Sequence, residues 1–140
     1  MILVDTSVWV EVLRDKKGKI VRAFRERIGT EICLFCRFTQ LELLQGCKDE
    51  MEWKRLDDYL STQYYLEATD KTWREAARIY FELRRKGITL SSPVDCCIAQ
   101  IAIESEVLLL HQDEDFENIS RLRPLAVERF PSKLGLDEGH

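Results

Sequence analysis

Met1-Ile2-Leu3-Val4-Asp5-Thr6-Ser7 is the stretch on which the reading of the chain turns. Three apolar residues in succession, two of them β-branched, read as a short strand buried on both faces. The run stops at a carboxylate. Thr6 or Ser7 is placed to cap the helix that Val8-Trp9-Val10-Glu11-Val12-Leu13 begins. A strand that delivers an Asp to its C-terminal end, where a helix starts, is the usual place for chemistry in an open parallel sheet. Taken alone, Asp5 also reads as a simple helix cap, so the rest of the chain has to decide.

Working outward, apolar periodicity and capping residues predict an alternation of helices and short strands. Lys17 to Ile28 is a helix stopped by Gly29, and Glu31 to Phe35 is a strand. Arg37 to Gly46 is a helix with Phe38, Leu41 and Leu44 inward; Thr39 and Glu42 have the spacing of a capping box, with a Phe38–Leu43 staple. Glu50 to Leu60 is amphipathic, and Tyr64-Tyr65-Leu66 is extended. A long helix capped by Asp70 runs to Arg85, with Trp73, Ala76, Ala77, Tyr80 and Phe81 as its expected buried side. Ser92-Pro93-Val94-Asp95 is the clearest helix start: Ser92 caps, Pro93 takes the first helical position, and Asp95 lies three after the cap. Val107 to Leu110 is a buried strand running into a turn at His111-Gln112-Asp113, and Pro124 to Val127 is an edge strand. The expected class is α/β, one domain over residues 1–130 with a mainly parallel central sheet flanked by helices, and a loose tail over 131–140.

The totals exclude several functions. A chain of 140 residues suits one domain with a real core. No apolar run approaches the roughly 20 residues of a membrane span, and no signal-peptide pattern stands at the N-terminus. The expected location is therefore cytoplasmic, with no membrane partner. Five cysteines, an odd number without paired zinc-finger spacing, read as buried reduced thiols. Two histidines leave no His-based zinc site and little room for a Ser-His-Asp triad, so any metal here is held by oxygen. With a formal charge of −4 the chain is not a general nucleic-acid binder. The basic runs at 16–19 and 84–86 read as solvated helix faces.

In a parallel sheet the strand C-termini share one edge. Asp5 and Asp113 follow two of those strands, and Asp95 and Glu42 lie in early turns of helices that begin at the same edge. Four carboxylates brought together are costly unless a cation sits among them. Mg²⁺ suits oxygen donors that keep water and bind phosphate, and Mn²⁺ is close behind. The chemistry that needs this arrangement is phosphodiester hydrolysis. The Thr6 and Ser7 hydroxyls are candidates to contact the phosphate or a water.

The sets Ile2-Leu3-Val4-Asp5-Thr6-Ser7-Val8-Trp9, Leu41-Glu42-Leu43-Leu44-Gln45-Gly46, Asp95-Cys96-Cys97-Ile98-Ala99 and Leu108-Leu109-Leu110-His111-Gln112-Asp113-Glu114-Asp115-Phe116 resemble a PIN domain. More narrowly, they resemble the VapC-type toxins of toxin–antitoxin pairs, up to about Val127. The resemblance implies a Mg²⁺- or Mn²⁺-dependent endoribonuclease in which Asp5, Glu42, Asp95 and Asp113 form the acidic quartet. It implies Asp5, Asp95, Asp113 and Asp115 as metal-contributing positions and Thr6 as the hydroxyl beside the first Asp. It further implies an RNA substrate, a homodimer, and a VapB-like antitoxin that lays an apolar segment across the toxin; the candidates to line that groove are Trp9, Trp53, Tyr64 and Tyr65, with core packing the favoured role for Trp9. His111 departs from the family pattern, standing where many relatives carry Thr or Asn, and reads as structural.

Two other readings are set against this one. A non-cleaving RNA- or partner-binding module would bind no Mn²⁺ through Asp95. A phosphorylated receiver-like domain would need a Lys at the end of a late strand, where this chain has His111-Gln112-Asp113 and Val127-Glu128-Arg129.

Overall fold

The computed structural model describes residues 1–131. The tail expected over 131–140 lies, from residue 132 onward, outside the described residues. Five strands form one sheet: β1 (Ile2–Val4), β2 (Cys33–Phe35), β3 (Tyr64–Tyr65), β4 (Leu108–His111) and β5 (Val127–Arg129). Their order is β3-β2-β1-β4-β5, and every pairing is parallel. β1 is central, with Leu3 opposite Leu34 on one side and Leu109 on the other. Being covered on both faces, it is continuously apolar rather than alternating.

The period of two sorts each strand between two cores. Leu3, Leu34 and Leu109 point into one, against α5 (Asp70–Arg85), α6 (Val94–Ser105) and α7 (Glu114–Ser120). Ile2, Val4, Phe35 and Leu110 point into the other, against α1 (Thr6–Arg14), α2 (Lys19–Ile28), α3 (Arg37–Gln45) and α4 (Glu50–Ser61). Trp9 of α1 stacks on Phe35 at 4.9 Å and meets Phe24 at 5.0 Å, which ties α1 and α2 to the sheet. Burying each such large side chain stabilises the fold by about 1.5–3 kcal/mol.

The α/β class and the parallel sheet agree with the sequence expectation; four local details do not. Asp5, rather than Thr6 or Ser7, caps α1, its carboxylate accepting from the Ser7 amide. The capping box at Thr39 and Glu42 does not form: Cys36 is the cap position of α3, and Thr39 is buried in the first turn. Leu43 is buried there while Leu41 is exposed. α5 is capped by Thr69 and buries Thr72, Ala76, Ile79 and Leu83, leaving Trp73 exposed. The polar residue on that face hid it from a count of apolar positions; Thr72 is tolerated because it bonds both Thr69 and, at 2.6 Å, Glu104. The last strand is Val127–Arg129, beginning where 124–127 was expected to end. Among the described residues no helix is long and apolar enough to cross a membrane.

Candidate active site

The C-terminal edge of the sheet carries a cleft of about 570 Å³ lined by Asp5, Thr6, Ser7, Glu42, Asp95 and Asp113, with Phe38, Ser91 and Ser92 around it. Each acid arrives by its own route. Asp5 follows β1 directly; its amide is held by Leu110 of β4 at 2.9 Å, so the carboxylate sits where the two central strands end. Asp95 stands in the first turn of α6, whose start is fixed by the Ser92 hydroxyl accepting from the Val94 amide at 3.1 Å. Asp113 caps α7, and Asp115 follows in its first turn.

Oxygens of Asp95, Asp113 and Asp115 all lie within 4.8 Å of one another. Asp5 lines the same cleft but is not one of this trio among the described residues. It is almost fully buried, and its carboxylate accepts from the Ser7 amide at 3.1 Å and the Ser7 hydroxyl at 2.6 Å. The Ser7 oxygen in turn accepts from the Gln112 amide at 3.1 Å, joining the ends of β1 and β4. Glu42 is exposed on the opposite wall. Thr6 Oγ1 donates to it at 3.1 Å and lies 2.9 Å from Thr39 Oγ1.

Burial, more than any other cause, pushes the Asp95 carboxyl up to about 8; a hydrogen bond with Asp115 and the charges of Asp113, Asp5 and Asp115 add to the shift. Burial also raises Asp5, against the hydrogen bonds from Ser7 that favour its charged form. The donor set is all hard oxygen, and it is electrostatically unfavourable when ionised. Its chemistry fits a hard divalent cation, and Asp95, Asp113 and Asp115 are close enough together to hold one.

Three residues around the acids could not be found by patterning. Ser91 directs its amide (3.1 Å) and hydroxyl (2.7 Å) onto Asp115. Thr39 reads as a cap in the sequence but meets Thr6 across the fold. His111, the last residue of β4, is fully buried; its Nδ1 accepts from the Asp113 amide at 3.0 Å, and its ring lies 5.3 Å from that of Phe116. Nε2 is 3.1 Å from Glu117 without the alignment of a hydrogen bond. Burial lowers the His111 pKa against the opposing charge of Glu117. It touches no residue of the cleft by its own polar atoms except the Asp113 amide.

An acid-lined cleft at the carboxyl edge of this five-stranded sheet is the arrangement of a PIN domain, and residues 2–122 match that family; the chain belongs to it. Within the family it falls among the VapC ribonucleases. VapC ribonuclease Mb1587 of Mycobacterium bovis is 34% identical over 134 residues, covering 93% of this chain and 99% of the relative. The fold is shared with VapBC2 of Rickettsia felis, solved bound to a promoter DNA fragment (TM-score 0.73, 21% identity, 94% of this chain and 100% of the other). It is also shared with VapC20 of Mycobacterium tuberculosis, described as a sarcin-ricin loop cleaving toxin (TM-score 0.61, 18% identity, 84% and 93%).

Proposed function

We propose that this chain is a divalent-metal-dependent endoribonuclease, the toxin of a VapBC-type pair, acting in the cytoplasm. The carrying observation is the trio Asp95–Asp113–Asp115, two members of which, Asp95 and Asp113, line one cleft with Asp5. Membership of the VapC ribonucleases supports RNA as the substrate.

Asp95, Asp113 and Asp115 would hold the ion, with Asp5 completing the site. When bound, the cation supplies positive charge that polarises a phosphodiester and acidifies water. The chain's own groups do the rest. Ser7 keeps Asp5 oriented at the cleft floor. Thr6, beside Thr39, donates to Glu42 and has an oxygen lone pair left to accept from a water. Glu42 faces the acids across the cleft and is placed to accept a proton at a carboxylate oxygen.

The antitoxin has a matching surface on the far side of α1. Apolar residues of α1, α2 and α4, among them Trp9, Val12, Leu13, Phe24, Leu56 and Tyr59, line two adjoining depressions of about 360 and 810 Å³. Of the four aromatic residues expected in such a groove only Trp9 lies there. Trp53 lines a separate hollow with Leu41 and Leu44, Tyr64 is exposed on the edge strand, and Tyr65 bonds the Leu60 carbonyl. The homodimer is part of the same proposal, with exposed Leu41 of α3 and Trp73 of α5 as apolar surface for a second copy; sedimentation of the purified chain tests it.

The deciding experiment is cleavage of labelled total RNA with Mn²⁺ or Mg²⁺, with EDTA, and by the Asp95→Asn variant. Discrete fragments that vanish in both controls support the nuclease. A folded protein that cuts nothing in any metal is a binding module instead.

A further inference from the structure

Resting on the metal-dependent reading above, we propose that His111 is a positioning residue: its Nδ1 holds the Asp113 amide and so sets the turn that carries Asp113 and Asp115 to Asp95. The argument begins from an oddity of burial. His111 is inaccessible to solvent at the end of the most apolar strand but one, where a leucine would fill the space without a polar atom to satisfy. What the imidazole adds is an acceptor, 3.0 Å from an amide two residues on.

That contact belongs to a sequence of similar ones. The side chains of His111 and Asp113 each take a backbone amide two positions ahead, the local bond that makes Asx-type turns. Nδ1 of His111 takes the Asp113 amide, and Oδ1 of Asp113 takes the Asp115 amide at 2.9 Å. The Gln112 amide between them is taken by Ser7 at 3.1 Å, and the Phe116 amide by the Asp113 carbonyl at 3.2 Å. The amides of Gln112, Asp113, Asp115 and Phe116 in this turn thus each have an acceptor. His111 itself cannot drift, because its carbonyl accepts from Phe130 of the chain beyond β5 at 2.8 Å and its ring packs on Phe116. Removing Nδ1 takes away the acceptor of the Asp113 amide.

Three variants separate the acceptor from the ring. His111→Asn keeps an acceptor at the Nδ1 position. His111→Gln moves it to the Nε2 position, and His111→Phe keeps only the packing. Two quantities are measured once thermal melts show folding: hydrogen exchange of the Asp113 amide in metal-free protein, and the Mn²⁺ Kd by calorimetry. We expect the Phe and Gln variants to exchange at least about tenfold faster and to bind Mn²⁺ about 10-fold more weakly, with Asn within about threefold of the parent in both. Unchanged exchange in the Phe and Gln variants overturns the proposal and leaves the nuclease reading intact. So does an Asn variant as impaired as Phe, which would make the ring and not the acceptor the point. Faster exchange with an unaltered Mn²⁺ Kd overturns it too. A parent that binds no Mn²⁺ at all overturns the metal reading, and the proposal with it.

Discussion

The two walls of the cleft handle negative charge in opposite ways. On the wall built by β1, α1 and α3, each carboxylate is met by a hydroxyl: Asp5 by Ser7, and Glu42 by Thr6. On the wall built by β4, α6 and α7, Asp95, Asp113 and Asp115 are met largely by one another, with Ser91, among the described residues, the one hydroxyl bonded to the trio. The first wall is satisfied by protein groups and reads as a surface for orienting substrate. The second is left with a charge excess that a cation relieves; burial first, and the neighbouring acids after it, raise the Asp95 carboxyl above the ordinary carboxylate value.

The strongest way to break this contrast is at Asp95. Asp95→Asn should lower RNA cleavage by about 100-fold or more and abolish calorimetric Mn²⁺ binding. In metal-free protein it should raise Tm by a few degrees at pH 8, since it removes a carboxylate from a crowd. A loss of Tm would mean that the trio is not strained when empty of cation.

The pH dependence sharpens the same point. A carboxyl raised from 3.8 to about 8 binds its proton more tightly in the folded state across that interval. The stability it contributes is fully present below pH 4 and is lost as pH rises through about 8. Metal-free protein should therefore lose Tm relative to Asp95→Asn between pH 4 and 8, and saturating Mn²⁺ should cancel the difference. Parallel curves for the two proteins without metal would remove the argument for a cation.

The hydroxyl wall should respond differently. Thr6→Val removes the donor to Glu42 and leaves the buried Thr39 hydroxyl without that partner, costing about 1–2 kcal/mol of stability. Cleavage should fall about tenfold with the Mn²⁺ Kd unchanged. An equal loss of metal affinity would merge the two walls into one. The smallest effect is expected from Ser91→Ala, which frees Asp115 on its outer side. A weakening of Mn²⁺ by about two- to fivefold, read by calorimetry, would show that the loop before α6 tunes the trio.

Much of this protein is legible in the order of its residues. The apolar runs at 2–4 and 108–110 could be buried strands because no charge interrupts them, and parallel strands flanked by helices follow from the alternation. The convergence of Asp5, Asp95 and Asp113 on one edge follows from that topology, since each stands just after a strand or just inside a helix; Glu42 reaches the same cleft from the second turn of α3. Family membership, too, lay in those motifs. The face of α5 did not, because a threonine is apolar enough to bury only when a distant glutamate accepts its hydroxyl.

What the tertiary structure alone decided is how the acids are distributed and held. Sequence spacing brings four carboxylates to an edge, but it cannot say that oxygens of Asp95, Asp113 and Asp115 come within 4.8 Å of one another while Asp5 is bonded by Ser7. Nor can it pair Ser91 with Asp115 across 24 residues or Thr6 with Thr39 across 33. Periodicity and capping are properties of neighbours along the chain. Proton affinity and metal affinity depend on burial and on distances of a few ångströms between segments far apart in it, and those exist only once the sheet has closed β1 against β4.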